Sequence, residues 1–316
     1  MELLDSWVRS LKAGNRSPAT IDAYVRDIGH LLHHLGDTDV TAATRRHVEA
    51  FLAERTRVDG RPGTLADATI ARRYRTLVQF FGWLDDESEL AGANPMTKMR
   101  PPKVAEQPPP IISSDEMAKL LAACRGVQVG KATRHRARKD APSRGRESEY
   151  ECRRDEAIVL LLATTGVRAG EIMGLTLDDV DIASETIVVR GKGNKLRIVV
   201  LVPQVVEALD RYMRARRRHT FKVLPDLWLG ERGRLTDSGL RQVLERRCED
   251  AGIDAINPHR FRHTFAHRAK QRGMGDGDLM AIAGWSSPQM LHRYGASAAA
   301  ERARDAHRRL FGEDRL

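Results

Sequence analysis

The sequence predicts a mainly α-helical protein with a small β-sheet in its second half. Three observations carry that expectation. Apolar residues recur at helical spacing through the first hundred residues. One pair of β-branched runs flanks a glycine-rich turn. A proline-rich stretch separates two segments, each long enough to hold its own core.

Ser17 offers an N-cap oxygen and Pro18 a preset first turn, so a helix should begin there. Ile21, Tyr24, Val25, Ile28, Leu31 and Leu32 then fall on one face. A second helix is expected from Thr41 through Val48, Phe51 and Leu52. A third should run from about Thr69 to Leu84, with Ile70, Tyr74, Leu77, Val78, Phe81 and Leu84 on one stripe. Arg72, Arg73 and Arg75 lie off that stripe, which predicts either a solvated helix face or contact with a phosphate backbone. Asn94-Pro95 closes this region. Arg100-Pro101-Pro102-Lys103 and Pro108-Pro109-Pro110 cannot pack a core and read as an extended linker over residues 99–110. Two domains are expected, 1–98 and 111–316.

Ser113-Ser114-Asp115-Glu116 should cap the next helix, which carries Met117, Leu120 and Leu121. Residues 126–150 hold Lys131, Arg134, Arg136, Arg138, Lys139, Arg144 and Arg146 with almost no apolar anchor. They read as a long basic loop, either solvated or laid against DNA. From Asp155 the chain turns apolar through Ile158, Val159, Leu160, Leu161 and Leu162. Residues 186–190 and 197–201 predict a hairpin closed by Gly191-Lys192-Gly193-Asn194. Helices resume after Pro203 and fill most of the remainder.

The balance of charge bounds the partner. Lys and Arg number 53 against 43 Asp and Glu, a net +10 in 316 residues, which favours a polyanion over an inert basic surface only weakly. Hydrophobic residues make up 41%, so the chain can fold. The three cysteines, Cys124, Cys152 and Cys248, lack metal-ligand spacing and fit a reduced compartment. The start lacks a basic and then apolar leader, and no stretch approaches 18 apolar residues. A soluble, cytoplasmic protein with no membrane partner is expected.

Four strings carry chemistry. They are Thr165-Gly166-Val167-Arg168-Ala169-Gly170-Glu171, Gly191-Lys192-Gly193-Asn194-Lys195, His259-Arg260-Phe261-Arg262, and Gly284-Trp285 with Tyr294 nine residues on. Each alone has a bland explanation: a salt bridge at a helix start, a solvated turn lysine, surface polarity, a core tyrosine. Together they hold the parts needed to break and rejoin a phosphodiester. A guanidinium matches two phosphate oxygens with parallel hydrogen bonds, a role open to Arg168 and Arg262. Glu171, three residues after Arg168, is placed to orient it. Asn257-Pro258 should start a helix, leaving His259 in its first turn, where an anion is favoured and an imidazole can move a proton. Lys192, or its competitor Lys195, could protonate a leaving oxygen. Tyr294 could form a covalent ester with phosphate. There is no Gly-x-x-x-x-Gly-Lys-Ser/Thr loop and no metal-ligand spacing near these strings, so neither cofactor nor metal is expected.

With those residues in that order, the chain resembles the tyrosine recombinase (phage integrase) family over nearly its whole length. Phe80-Phe81-Gly82-Trp83-Leu84 followed by Asn94-Pro95 is similar to the end of the family's first domain. The resemblance implies a helical, SAM-like core-binding domain before a mixed α+β catalytic domain, in a layout closer to the Xer type than to the lambda integrase. It implies a catalytic set of Arg168, Lys192, His259, Arg262, Trp285 and Tyr294. Trp285 stands where most members have histidine and some tryptophan; an indole donates one hydrogen bond and shuttles no proton. Gly170 stands where serine is frequent. The implied activity is site-specific cleavage and rejoining of double-stranded DNA through a 3′-phosphotyrosyl intermediate, without metal or ATP. The implied assembly is a homotetramer on two duplexes, with 298–316 as a tail that docks on a neighbour or packs on its own domain. Accessory DNA-bending or directionality proteins are further implied partners. An Xer-type dimer resolvase is the alternative activity; a type IB topoisomerase-like enzyme and a catalytically inactive DNA-binding protein are more distant ones.

Overall fold

The computed structural model describes residues 2–55, 64–104, 109–126, 149–191 and 194–285, together with Leu291 and Arg304. The chain divides into two compact units, Met1–Gln107 and Pro108–Leu316.

The first unit is built of four helices: α1 (Glu2–Ala13), α2 (Pro18–Leu35), α3 (Arg45–Ala53) and α4 (Asp67–Asp86). The Ser17 Oγ accepts from the Thr20 backbone N–H, so α2 begins at the proline as expected. Trp7 of α1 sets the centre of the core. It meets Phe80 edge-on at 4.9 Å between ring centroids and stacks on Tyr24 at 5.7 Å. Ile28, Leu31, Phe51, Leu77, Phe81 and Leu84 close around it. Each such apolar side chain taken out of water contributes about 1.5–3 kcal/mol.

Three expectations for this unit need correction. The second helix does not begin at Thr41. Asp39 caps a single 3-10 turn over Val40–Ala42, and α3 starts after Thr44. The Asp39 carboxylate, bound to the Thr41 N–H and hydroxyl, makes that separate turn the better local solution. Val78 is exposed rather than part of the buried stripe. Arg73 is no part of a solvated face, and Arg72 is only partly so, its side chain 38% exposed. Asp27, fully buried on α2, draws the Arg72 guanidinium inward at 2.5 Å and also accepts from Thr76. Arg73 is buried over the Phe51 ring and contacts the His30 Nδ1. A buried carboxylate demands a cation; Arg75 is exposed and Arg72 partly exposed.

The second unit is organised around α6 (Glu149–Thr165). Nine consecutive residues, 154–162, are buried there, so this helix is surrounded on all sides. It begins before the apolar run because its first turns carry structural charges. Asp155, fully buried, gathers Arg154 at 2.8 Å, Arg247 at 2.9 Å and Arg246 at 3.0 Å. Helices α5 (Ser114–Cys124), α8 (Pro203–Arg216), α9 (Asp237–Ala251) and α10 (Pro258–Gln271) complete the helical shell. Ser113 and Glu116 cap α5 reciprocally. Short α7 (Ala169–Met173) is anchored by the Trp228 indole N–H, which donates to the Ile172 carbonyl at 2.9 Å.

The hairpin is present as β2 (Thr186–Arg190) and β3 (Leu196–Val200), with Val189 opposite Arg197 and Ile187 opposite Val199. A two-residue strand β1 (Val180–Asp181) extends the sheet on the other side of β2, and β4 (Leu229–Gly230) pairs with β5 (Gly233–Arg234). These short strands lack a periodic signal. Ile187, Val189 and Val199 face the core, while Leu196, Ile198 and Val200 are exposed on the outer face. The basic segment of 126–150 and the tail of 298–316 lie essentially outside the described residues.

Candidate active site

The site begins where α6 stops. Gly166 reverses the chain at φ +61°. A Cβ built there would stand 2.3 Å from Phe265 Cδ1 of α10, so both backbone and packing demand glycine. Arg168 follows in extended conformation and caps α7. Its backbone N–H donates to Glu171 Oε2 at 2.9 Å and its Nη1 to Oε1 at 2.8 Å. One carboxylate thus fixes both ends of the arginine. The Arg168 Nη2 donates to the Gly284 carbonyl at 3.2 Å, and its side chain is still 43% exposed. That leaves room for an anion on its open side.

The second arginine comes from α10. Asn257 Oδ1 accepts from the Arg260 N–H and Pro258 opens the helix. One turn later, Arg262 points inward and is 2% exposed. Its Nη1 donates to the Gly166 carbonyl at 2.7 Å, and its guanidinium carbon sits 5.0 Å from the centre of the Trp285 ring. The Gly166 turn therefore joins both arginines: it leads directly into one and accepts a hydrogen bond from the other. The far side of α10 is held by Thr264, which accepts from the Ile112 N–H, and by Arg260, paired with Glu116 at 2.9 Å.

His259 sits in the first turn of α10, solvent-facing, with the His263 ring edge-on at 4.3 Å. Its pKa is held below the ordinary histidine value by partial desolvation, then by the positive charges of Arg262 and Arg168. The imidazole is therefore neutral near pH 7 in the free protein, able to accept a proton.

The third contribution follows α11 (Asp276–Ala283). Gly284 ends that helix in the left-handed region at φ +64°. The next N–H, of Trp285, returns to the Met280 carbonyl at 2.9 Å. Trp285 is 6% exposed and packs with Ala266, Ala269, Leu279, Ala283 and Leu291.

The structure thus brings Arg168, His259, Arg262 and Trp285 together from three segments far apart in sequence, His259 and Arg262 both from α10. Lys192 and Tyr294 lie outside the described residues. Lys195, the alternative to Lys192, is exposed, and its carbonyl accepts from the Gly191 N–H at 2.8 Å.

Sequence reasoning missed Arg197. It lies on the inward face of β3, in phase with Val199, and is 14% exposed. Its Nη2 donates to Glu171 Oε2 at 2.6 Å, its Nη1 to Oε1 at 3.2 Å, and its Nε to the Ile282 carbonyl at 3.1 Å. Burial alone would raise the Glu171 pKa. The hydrogen bonds from Arg197, then those from the Arg168 backbone and side chain, outweigh it and hold the carboxyl below its ordinary range. The available signal was a lone arginine in phase with the apolar face of a strand.

The profile described as "Phage integrase family" matches residues 144–301, and "Phage integrase, N-terminal SAM-like domain" matches residues 4–88. Tyrosine recombinase XerD of Mycobacterium tuberculosis is 32% identical over 263 residues, covering 80% of this chain and 79% of that protein. Tyrosine recombinase XerC of Corynebacterium efficiens is 29% identical, covering 88% and 81%. Among solved structures, XerH site-specific recombinase in a post-cleavage complex with a palindromic difH substrate superposes with a TM-score of 0.72 at 19% identity, covering 96% of this chain and 83% of that one. The Tn1549 transposon integrase in complex with transposon right end DNA gives 0.71 at 20% identity, covering 98% of both chains. At these identities the two structures speak for the fold. Among the described residues, no helix is long and apolar enough to cross a membrane.

Proposed function

The chain belongs to the phage integrase family, the tyrosine recombinases, and from that footing we propose a DNA strand-exchange mechanism for it residue by residue. The observation that carries the reading is the convergence of Arg168, Arg262, Trp285 and His259 around the Gly166 and Gly284 turns.

The Tyr294 phenolate oxygen attacks a scissile phosphorus. A Tyr–O–P bond forms, the P–O5′ bond breaks, and a 3′-phosphotyrosyl link and a free 5′-hydroxyl result. Lys192 gives its proton to the departing O5′. His259, neutral before DNA arrives, takes the phenol proton. Arg168 and Arg262 hold the non-bridging oxygens as charge grows in the transition state, each contributing on the order of 3 kcal/mol. Trp285 packs under Arg262 and sets its plane. The 5′-hydroxyl of a partner strand then reverses the step. The ester conserves the bond energy, so no nucleotide is consumed. Four protomers on two duplexes would carry out the exchange, and accessory DNA-bending proteins would fix its direction. The basic composition supports DNA as the partner.

Two uses of this chemistry remain distinct. The XerC and XerD relatives span most of the chain and are consistent with an Xer-type dimer resolvase. A mobile-element integrase shares every catalytic step. Capture of covalent protein–DNA adducts from host cells, followed by sequencing and by recombination of plasmids bearing the recovered sequence, tests both. Adducts at one site native to the chromosome, with resolution of plasmid dimers, support the resolvase. Adducts at the ends of a mobile element support the integrase. Plasmid relaxation with no joining of two sites would contradict recombination itself.

A further inference from the structure

We infer that Arg197 is a positioning residue for strand cleavage: it fixes Glu171, and through Glu171 the phosphate-facing guanidinium of Arg168. This rests on the recombinase reading above and adds a residue to it.

The geometry is a closed strut. Glu171 receives hydrogen bonds at both carboxylate oxygens from both arginines, at 2.6–3.2 Å. The carboxylate is 7% exposed, so it cannot turn toward water if one arginine is lost. Arg197 also reaches the Ile282 carbonyl, two residues before Gly284, whose own carbonyl accepts from Arg168. A Cβ at Gly284 would stand 3.0 Å from Arg197 Nη1, and one at Gly191 3.5 Å from the same atom. The guanidinium of Arg197 therefore lies beneath the backbone of both Gly191 and the Gly284 turn. Three segments, α7, β3 and the end of α11, take their spacing from this one side chain.

An arginine facing into an edge strand is costly unless it is fully paired. Here the pairing is directed at the residue that orients Arg168, rather than at the core in general. Without Arg197, Glu171 keeps only Arg168 as partner. The two would then form a looser pair, with Arg168 drawn toward the vacated space and away from an incoming phosphate. Displacement of a charge-stabilising group by about 1 Å lowers a chemical step about 100-fold.

The test uses the full-length protein, in single turnover, on a synthetic duplex carrying the cleavage sequence recovered from wild-type adducts. A matched duplex has a methylphosphonate at the scissile position. Its methyl group replaces a non-bridging oxygen, so the transition state carries less negative charge and depends less on an arginine. Arg197→Gln should bind the duplex within about threefold of wild type and form adduct about 100-fold more slowly on the phosphodiester. On the methylphosphonate its deficit against wild type should shrink to about tenfold or less. Arg197→Lys keeps the charge and one bond, should lie between the two, and serves if Arg197→Gln does not fold. Equal deficits on both substrates would mean a general structural role and overturn the inference. So would adduct formation at the wild-type rate. Failure of the wild type itself to form any adduct would instead overturn the recombinase reading, and this inference with it.

Discussion

Replacing Gly166 with alanine should damage stability and catalysis together, because one backbone turn serves both. The added methyl carries two separable costs. A non-glycine residue in the left-handed region loses about 1–2 kcal/mol. The methyl would also lie 2.3 Å from Phe265 Cδ1 and 2.8 Å from Cγ, so the ring must retreat by about 1 Å to reach ordinary contact. Overpacking of that kind costs about 1–3 kcal/mol. The sum, about 2–5 kcal/mol, corresponds to a fall in Tm of about 5–15 °C for a unit of this size. Gly166→Ala with Phe265→Leu should recover the packing part and leave the backbone part. Gly170→Ala is the control: its Cβ would meet nothing nearer than Asp237 Oδ2 at 3.7 Å, in helical backbone, and Tm should hold or rise slightly. Because the Gly166 carbonyl fixes Arg262, cleavage by the folded variant should also fall about 100-fold. Differential scanning calorimetry and single-turnover cleavage read the two effects. A Gly166→Ala protein that melts within about 2 °C of wild type and cleaves normally would refute the reasoning.

Arg168→Ala should lose on the order of 3 kcal/mol of transition-state stabilisation, seen as a 10²–10³-fold drop in adduct formation, while gel-shift binding changes far less. If His259 accepts the phenol proton as proposed, the cleavage rate of unbound enzyme, followed as kcat/KM, should rise with pH through a pKa below the ordinary histidine value, since only the neutral imidazole can do so; His259→Gln should lose that limb. The same depressed pKa means the unfolded chain binds this proton more readily, so stability from His259 is present above about pH 6.5 and falls as the solution is acidified below it. Asp155→Ala would leave three guanidiniums around an empty place and should cost about 3–5 kcal/mol, measured by urea unfolding, with Arg247→Met added to test whether removing a buried charge restores part of it.

What the sequence made legible was local or periodic. The Ser17, Ser113 and Asn257 caps, the hairpin and the helical stripes depend on residues within one turn or one strand pair of each other. What it concealed depends on partners distant in the chain. Arg72 and Arg73 read as surface charges because Asp27 and His30, more than 40 residues earlier, supply their surroundings only after α2 and α4 meet. Arg154 and Asp155 interrupt no pattern in the sequence, yet they join α6 to α9 through Arg247. At the site, Gly166, Arg168 and Glu171 were readable as a unit because they lie within six residues. Arg197 was not, since its partner lies 26 residues away and the intervening strand must form before the two can touch. Phe265 was also silent: that it forbids a side chain at Gly166 is a fact about the packing of α10 on the end of α6.

In the proposed mechanism Tyr294 carries DNA covalently while Arg168 and Arg262 hold the phosphate. The most direct measurement is mass spectrometry of the trapped protein–DNA adduct after nuclease and protease digestion, with Tyr294→Phe run in parallel. A 3′-linked nucleotide should be found on the peptide containing Tyr294, and no adduct from Tyr294→Phe despite retained DNA binding. A nucleotide on any other side chain, or an undiminished adduct from Tyr294→Phe, would contradict it.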